Sequence, residues 1–170
     1  MAKSPISKKI NSKSGYSKVD KMLDTAGWFG LATLVILTVF TYFRVPDTIP
    51  LHFNITGRPN GFGNKIFLFA VLAIACFIFF SITLSVKYIF ASPKVNAIPN
   101  KNLDFAIRIV RFLKLVVMIG FIYIIVVTNL IVDHVTDGLG SFFLPAVVIS
   151  LLFPVAYFFK KTVREKMMKK

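Results

Sequence analysis

The sequence has few charged residues and a single cysteine for a length of 170 residues. Only 16% of its residues are charged and 56% are hydrophobic, whereas a water-soluble domain of this size needs far more polar surface to cover itself. The lone Cys76 excludes a disulfide framework and a cysteine-based zinc site within the chain. The composition therefore indicates a protein with several membrane spans.

Acidic residues are scarce, with seven against 21 lysines and arginines, which gives a net charge of +14. Such an excess is also typical of nucleic-acid-binding proteins, but the positions of the charges indicate another cause. Three groups of six lie in residues 1–21, 87–114 and 160–170, and these 18 are separated by apolar runs from Arg44, Arg58 and Lys65. The positive-inside rule predicts that both termini and the middle linker are cytoplasmic. We therefore expect the lipid bilayer as a partner and no nucleic acid.

Four apolar runs are long enough to cross a bilayer, at about residues 26–43, 66–86, 115–132 and 139–159. We predict an all-α membrane protein with four transmembrane helices and a short, strand-like, ordered outer loop between helices 1 and 2. The predicted divisions are a basic cytoplasmic tail (1–21), a two-span domain (22–90) with its outer loop (44–65), a cytoplasmic linker that leads into the next helix (91–114), a second two-span hairpin (115–159) and a basic cytoplasmic tail (160–170).

Two charged motifs flank these spans. Ser17 to Asp20 fits a capping box, which predicts that the first helix begins near Lys18, before the membrane. Arg108, Arg111 and Lys114 follow one another at intervals of three. This spacing predicts a positive face of a helix at the membrane surface, where anionic lipid favours it.

Ionisable side chains are nearly absent from the predicted spans, where only Lys114 approaches an end. Proton relays and ion-coupled transporters usually carry buried charged residues in the membrane, so this absence argues against them. The sequence also lacks a Gly-x-Ser-x-Gly nucleophile elbow, a His-Glu-x-x-His pair and a phosphate-binding loop. We therefore predict no enzymatic activity, no catalytic residue and no cofactor.

The outer loop has the pattern of a β-strand. Residues 49–56 alternate between apolar and polar positions, which is the period of a strand with two different faces. Pro50 cannot donate a ladder hydrogen bond, so the strand should be an edge strand or unpaired. Glycines, prolines and asparagines at 57–61 predict turns, and Asn64 is suited to cap the following helix.

Both histidines lie on the predicted outer face. His52 and His134 could join Asp133 and Asp137 in a metal or peptide site, since these ligand types suit a zinc-like ion. No short ligand spacing links them, however, and two loops would have to meet. We favour the reading in which His52 hydrogen-bonds locally on the polar face of a strand, and we predict no metal. Asp133, His134 and Asp137 remain secondary candidates for an outer site.

The outer loop also resembles a known family. The run Pro46-Asp47-Thr48-Ile49-Pro50-Leu51-His52-Phe53-Asn54, followed by Gly57, by Pro59-Asn60-Gly61-Phe62-Gly63 and by Lys65, is similar to the signature of a domain-of-unknown-function family of bacterial membrane proteins. That domain also forms the N-terminal part of immunity proteins against a sporulation-delaying toxin peptide. The resemblance covers about residues 25–90. Asn60 and Phe62 stand where the family more often has Asp and a Trp or Tyr, and only two further spans follow here.

The resemblance implies a bacterial plasma membrane protein and suggests what it does. We expect a non-enzymatic protein whose outer loop recognises a secreted peptide or envelope component, for toxin immunity or signal relay, with a cytoplasmic regulator at the basic linker. The candidate ligand-binding residues are His52, Phe53, Asn54, Gly57, Phe62, Gly63 and Lys65. The alternatives are a transporter or permease subunit and an envelope enzyme that uses His52 or His134.

Overall fold

The computed structural model describes residues 17–91 and 101–168. These described residues form four helices: α1 (Lys18–Arg44), α2 (Phe67–Ala91), α3 (Lys101–Val132) and α4 (Phe143–Met167). Each is long and apolar enough to cross a membrane, which confirms the prediction of four spans in a multi-pass membrane protein. Most of the predicted tail 1–21 and residues 92–100 of the predicted linker lie outside the described residues.

The first helix begins where the capping box predicts. The Ser17 hydroxyl accepts a hydrogen bond from the Val19 amide at 3.3 Å, and the Asp20 carboxylate accepts one from the Ser17 amide at 3.0 Å. These two bonds satisfy backbone donors that a helix start otherwise leaves unpaired. Asp20 is thereby held at a fixed place in the first turn of α1.

Helix α3 is the central element, because α1, α2 and α4 all pack against it. Gly27 and Gly30 of α1 are both buried and let α3 approach closely. A methyl group at Gly27 would lie 3.1 Å from the Lys114 side chain, and one at Gly30 would lie 3.4 Å from the Met118 Cβ. Small residues at such crossings are typical of packed membrane helices. The buried apolar core between the helices includes Leu31, Leu34, Ala75, Phe79, Met118 and Ile125.

The outer loop is a β-hairpin, made of β1 (Thr48–Phe53) and β2 (Pro59–Asn64) in an antiparallel pair. The predicted strand is confirmed, and Pro50 is tolerated because each strand of a two-stranded sheet has a free edge. The interpretation of Pro59 to Gly61 as turns alone was wrong, since these residues begin β2. Glycine-rich segments rarely read as strands, and here the pairing with β1 decides the conformation.

The register of the hairpin is irregular beside Leu51, and this changes the predicted faces. Pro50 pairs with Phe62 and His52 pairs with Gly61, so Leu51 is an extra residue in β1. Such a bulge re-aims the side chains around it. Pro50, predicted on the polar face, is buried together with Ile49, whereas His52 is exposed.

Ion pairs define the two ends of the bundle. Arg44, the last residue of α1, pairs with Asp133 just after α3, and Asp20 near the start of α1 pairs with Arg108 near the start of α3. Helices α1 and α3 are therefore parallel. We call the end with Arg44 and the β-hairpin the hairpin end, and the end with Asp20 and Arg108 the terminal end.

Candidate functional site

The turn of the hairpin is organised by the side chain of Asn54. Its Oδ1 accepts hydrogen bonds from the Thr56 amide at 3.0 Å, the Thr56 hydroxyl at 2.7 Å and the Arg58 amide at 2.9 Å. The Gly57 amide donates to the Asn54 carbonyl at 2.9 Å and closes the turn. An asparagine that hydrogen-bonds its own backbone stabilises a turn in this way. The structure thus gives the predicted ligand-binding residue Asn54 a structural part.

Gly57 joins the hairpin to the loop between α3 and α4. Its φ of 78° lies in the left-handed region, which glycine adopts without steric cost. Its carbonyl accepts a hydrogen bond from the Leu139 amide at 2.7 Å, a methyl group at Gly57 would overlap the Gly140 backbone, and one at Gly138 would overlap the Gly57 carbonyl. We call Gly57, Gly138 and Gly140 the glycine junction. It brings the two loops of the hairpin end into one surface.

The loop between α3 and α4 is itself fixed to the bundle. The Tyr123 hydroxyl donates to the Leu139 carbonyl at 2.9 Å, and the Tyr123 ring stacks on Phe143 at 4.8 Å between ring centroids. Leu139 is buried. The hairpin therefore docks on a loop that α3 and α4 already hold in place.

Two glycines of β2 leave space for side chains of β1. A methyl group at Gly61 would lie 3.1 Å from the His52 Cβ, and one at Gly63 would overlap the Leu51 side chain. Asn60, Phe62 and Asn64 alternate with these glycines and are exposed. The candidate Gly63 thus serves close packing across the sheet, whereas the neighbouring Phe62 is presented outward.

Lys65 anchors the base of the hairpin. Its ammonium lies 3.1 Å from the Asp47 carboxylate, 3.3 Å from the Val45 carbonyl and 5.3 Å from the centre of the Tyr42 ring. The Lys65 amide also donates to the Asp47 carbonyl at 2.8 Å. These contacts tie the residues before β1 to those after β2. Asn64 then accepts from the Ile66 amide at 2.9 Å, just before α2 begins at Phe67.

The hairpin carries exposed apolar and ring-bearing side chains on both of its sides. Phe62 leaves 65% of its surface exposed and Ile55 leaves 79%, while His52 is exposed and Phe53 is half-buried. His52 lies on the side of Gly61, whereas Phe62, the next residue of β2, lies on the other side. We call the exposed residues His52, Ile55 and Phe62, taken together, the hairpin face.

The secondary candidates have separate environments. Asp133 accepts two hydrogen bonds from the Arg44 guanidinium, at 2.6 and 2.7 Å. The same guanidinium donates to Asn129 at 3.0 Å, and Asn129 donates to the Thr41 hydroxyl at 2.7 Å. Asp133 is thus used in joining α1 to α3. Asp137 is exposed in the loop that follows.

His134 closes the C-terminus of α3. Its amide donates to the Ile131 carbonyl at 3.0 Å, and the Val135 amide donates to the Leu130 carbonyl at 2.9 Å. These are the two bonds of a Schellman motif, whose left-handed position usually holds glycine. His134 occupies it with a φ of 59°. Within residues 17–91 and 101–168, no three His, Cys, Asp or Glu side chains gather closely enough to hold a metal ion.

The terminal end contains a buried ionic network, and this corrects one prediction. Arg111 and Lys114 are each only 1% exposed, so they do not form a face against lipid as their spacing suggested. Arg111 pairs with Asp20 at 3.2 Å and with Asp24 at 3.1 Å, and Arg108 also reaches Asp20 at 3.2 Å. These residues lie in α1 and α3 just before the predicted spans 26–43 and 115–132, so the network does not contradict the prediction that the spans contain few ionisable groups.

The Lys114 ammonium has three close neighbours in this network. Its ammonium lies 3.1 Å from the Asp24 carboxylate, 3.3 Å from the Thr83 hydroxyl and 4.6 Å from the centre of the Phe79 ring. The Thr83 hydroxyl in turn donates to the Phe79 carbonyl at 2.7 Å. A buried ammonium needs such partners, because it loses its water shell on burial. The network thus joins α1, α2 and α3.

A pattern in the sequence could have revealed the network. Asp20 and Asp24 are four apart, and Arg111 and Lys114 are three apart, so each pair lies on one face of its helix. Two acidic residues before an apolar run and two basic residues before another predict complementary faces if the helices pack in parallel. The sequence alone does not show that these two helices pack in parallel, so the ion pairs between them could be identified only in the structure.

No curated protein and no solved structure matches the chain. A family model does match part of it, over residues 29–79. These residues comprise most of α1, the whole β-hairpin and the first half of α2, and they lie within the range that the sequence resemblance covers. This part of the chain is therefore similar to the domain of unknown function DUF1648.

Proposed function

We propose that this is a non-enzymatic integral membrane protein whose hairpin face binds a secreted peptide or an envelope component, for toxin immunity or signal relay. The observation that carries the proposal is the exposure of His52, Ile55 and Phe62 on a hairpin that is otherwise tightly fixed. Asn54, Gly57, Gly63 and Lys65 all have contacts within the protein. By contrast, most of the side-chain surface of Ile55 and Phe62 in the hairpin face is exposed and does not stabilise the fold.

The hairpin is held rigidly, and this supports a role in binding a partner. The turn is closed by Asn54, the tip is docked through the glycine junction and the base is held by Lys65. A surface that is ordered before binding loses little conformational entropy when a partner arrives. The exposed Phe62 would then act as an aromatic anchor, the kind of residue that often dominates binding energy.

The chemistry of the hairpin face limits the class of partner. The exposed apolar side chains of Ile55 and Phe62 suit an apolar segment of a peptide, and the His52 imidazole on the other side of the sheet from Phe62 suits one or two hydrogen-bonding groups. Arg58 and Lys65 are basic residues of the same hairpin, and Arg58 is exposed. We therefore propose a peptide that is apolar and uncharged or weakly acidic where it meets the hairpin face.

Location follows from the distribution of charge. We place the hairpin end outside a bacterial plasma membrane and both termini inside, since 18 of the 21 basic residues lie in the sequence ranges 1–21, 87–114 and 160–170. The resemblance of residues 46–65 to the bacterial family supports the same placement. A cytoplasmic regulator would then meet the protein at the basic linker, through residues other than the buried Arg111 and Lys114.

A transporter or permease subunit is the second candidate, and the buried ionic network is the observation that favours it. The core between this network and the Arg44–Asp133 pair is mostly apolar, with Leu34, Met118 and Ile125 fully or almost fully buried. The buried hydroxyls of Thr38 and Thr128 donate to carbonyls of their own helices, so the core has no charged group to accompany an ion through a single copy of the described chain. The balance therefore favours binding at the hairpin end.

The test uses a strain from which the gene is deleted, complemented with variants and challenged with peptide toxins secreted by neighbouring strains. Phe62→Ala and His52→Ala should remove protection while membrane abundance, measured by immunoblot, stays at the wild-type level. Phe142→Ala is the matched control, because Phe142 is an exposed aromatic residue of the same end outside the hairpin. Wild-type protection by both hairpin variants at normal abundance would remove the hairpin face from the functional site.

A further inference from the structure

A cavity of about 200 Å³ lies at the terminal end, between α1, α2 and α3. Its polar lining consists of Asp24 from α1, Thr83 and Lys87 from α2, and Arg111 and Lys114 from α3, with Trp28 beside them. It is thus built against the buried ionic network and is separate from the hairpin face. Its volume exceeds what a single water molecule needs.

The charges that line the cavity do not balance. Its lining holds three cations, Lys87, Arg111 and Lys114, and one carboxylate, Asp24. Three positive charges therefore face one negative charge there. An anion with one or two negative charges would bring this group close to neutrality, whereas a cation would increase the imbalance.

The donor types also select the class of anion. Ammonium and guanidinium groups together recognise phosphate oxygens through charge-assisted hydrogen bonds. A threonine hydroxyl adjoins the Lys114 ammonium at 3.3 Å and extends this set of polar groups. We propose that the cavity binds a phosphate-bearing anion at the terminal end of the bundle.

Two sources could supply such a phosphate: the headgroup of an anionic lipid, or a free phosphate in solution. Trp28 is 49% exposed and Lys87 is exposed, so the cavity reaches the protein surface beside them. Tryptophan is concentrated where membrane meets water, and basic pockets between membrane helices bind anionic headgroups. These features fit a lipid headgroup, and the experiment separates it from free phosphate.

The chain carries its own reporter, since Trp28 is the single tryptophan and lines the cavity. Protein purified in a neutral detergent is titrated with short-chain phosphatidylglycerol, with inorganic phosphate, and with phosphatidylcholine as the zwitterionic control. Trp28 fluorescence and the thermal unfolding midpoint are both followed, because a ligand that binds the folded state raises the midpoint. We expect a saturable response to phosphatidylglycerol that phosphatidylcholine does not reproduce.

Lys87→Gln is the main variant, because Lys87 is exposed and stands outside the ion pairs of the network among residues 17–91 and 101–168. It should weaken the affinity about tenfold, as expected for loss of one charge-assisted bond. Lys21→Gln, an exposed lysine of the same end that does not line the cavity, is the matched control and should bind as the wild type does.

Each outcome decides the proposal. A saturable response to phosphatidylglycerol alone, weakened by Lys87→Gln, assigns the cavity to a lipid headgroup, and the same response to inorganic phosphate assigns it to a free phosphate. The proposal is overturned if neither probe changes the fluorescence or the unfolding midpoint, or if phosphatidylcholine acts equally. Equal weakening by Lys21→Gln and Lys87→Gln, or by neither, also overturns it.

Discussion

The two ends of the bundle are built on different physical terms. At the terminal end, the almost fully buried Arg111 and Lys114 pair with Asp20 and Asp24, whose side chains are 11% and 26% exposed. At the hairpin end, an exposed ion pair between Arg44 and Asp133 joins α1 to α3, but the hairpin itself is ordered by backbone hydrogen bonds and close-packed glycines, and large side chains remain exposed. The buried charges of the first end therefore tie helices together, and the second end also presents a surface.

The comparison predicts unequal responses to the same chemical change. Asp24→Asn leaves Arg111 and Lys114 buried with one carboxylate fewer, so the free energy of unfolding should fall by about 3–5 kcal/mol. Asp47→Asn removes the carboxylate that pairs with Lys65 at the hairpin end, where the Asp47 side chain is 85% exposed. That change should cost about 1 kcal/mol or less.

Unfolding in mixed detergent micelles, followed by Trp28 fluorescence, measures both values. Asp20→Asn serves as a second variant of the network and should also destabilise more than Asp47→Asn. Equal losses for the exposed and buried carboxylates would mean that the terminal end is not held by its ionic network.

The glycine junction is the structural weak point of the hairpin end. Gly57→Ala places a methyl group against the Gly140 backbone and forces a left-handed φ on alanine, so we expect a loss of about 1–3 kcal/mol. Gly120→Ala is the matched control, because a methyl group there meets nothing within 4 Å. It should instead stabilise α3 by about 0.5–1 kcal/mol. Hydrogen exchange at residues 51–55 should become faster in Gly57→Ala and stay slow in Gly120→Ala.

Variants of Asn54 and His52 should distinguish a residue that stabilises the hairpin from a residue that binds the partner. Asn54→Ala removes three hydrogen bonds from the turn and should lower stability by about 0.5–2 kcal/mol, together with activity. His52→Ala changes an exposed side chain and should alter stability by about 0.5 kcal/mol or less. Abundance and protection, measured side by side, check this. An Asn54 variant that is fully stable but inactive would return Asn54 to the recognition surface.

His134 is a position where we expect a small gain in stability. Glycine at this left-handed position avoids the steric cost that histidine bears, so His134→Gly should raise stability by about 0.5–1 kcal/mol. Thermal unfolding of the variant measures the gain. Loss of protection in a stabilised His134→Gly protein would show that histidine is kept at this position for binding, despite its steric cost. The hairpin face would then be incomplete without His134.

Local patterns predicted those parts of the fold that depend on neighbouring residues. The capping box at Ser17, the strand around Ile49 and the apolar runs all act within a few residues or one helix, so the sequence contains the signal directly. The strand β2 was missed because Gly61 and Gly63 have low strand propensity. They pair only because β1 and the packing of His52 and Leu51 require small residues there.

Long-range pairing was not predictable in the same way. Asp24 and Lys114 are 90 positions apart in the chain, and their contact depends on the parallel packing of α1 and α3. The glycine junction joins Gly57 to Gly138 for a similar reason, through a docking of two loops that neither loop encodes alone. The sequence pattern identified Asn54 and Gly57 as candidate residues. Only their contacts in the structure show that they stabilise the hairpin rather than contact a ligand.

The most direct measurement of the central claim is the side of the membrane on which each end lies. In a Cys76→Ala background, single cysteines at Asn60 on β2 and at Lys87 near the end of α2 are treated with a membrane-impermeant maleimide on intact cells. Both native residues are exposed, so access depends on the side of the membrane alone. The account predicts labelling at residue 60 and none at residue 87 until the cells are opened. Labelling at residue 87 without labelling at residue 60 would contradict it, because the hairpin face would then be inside the cell.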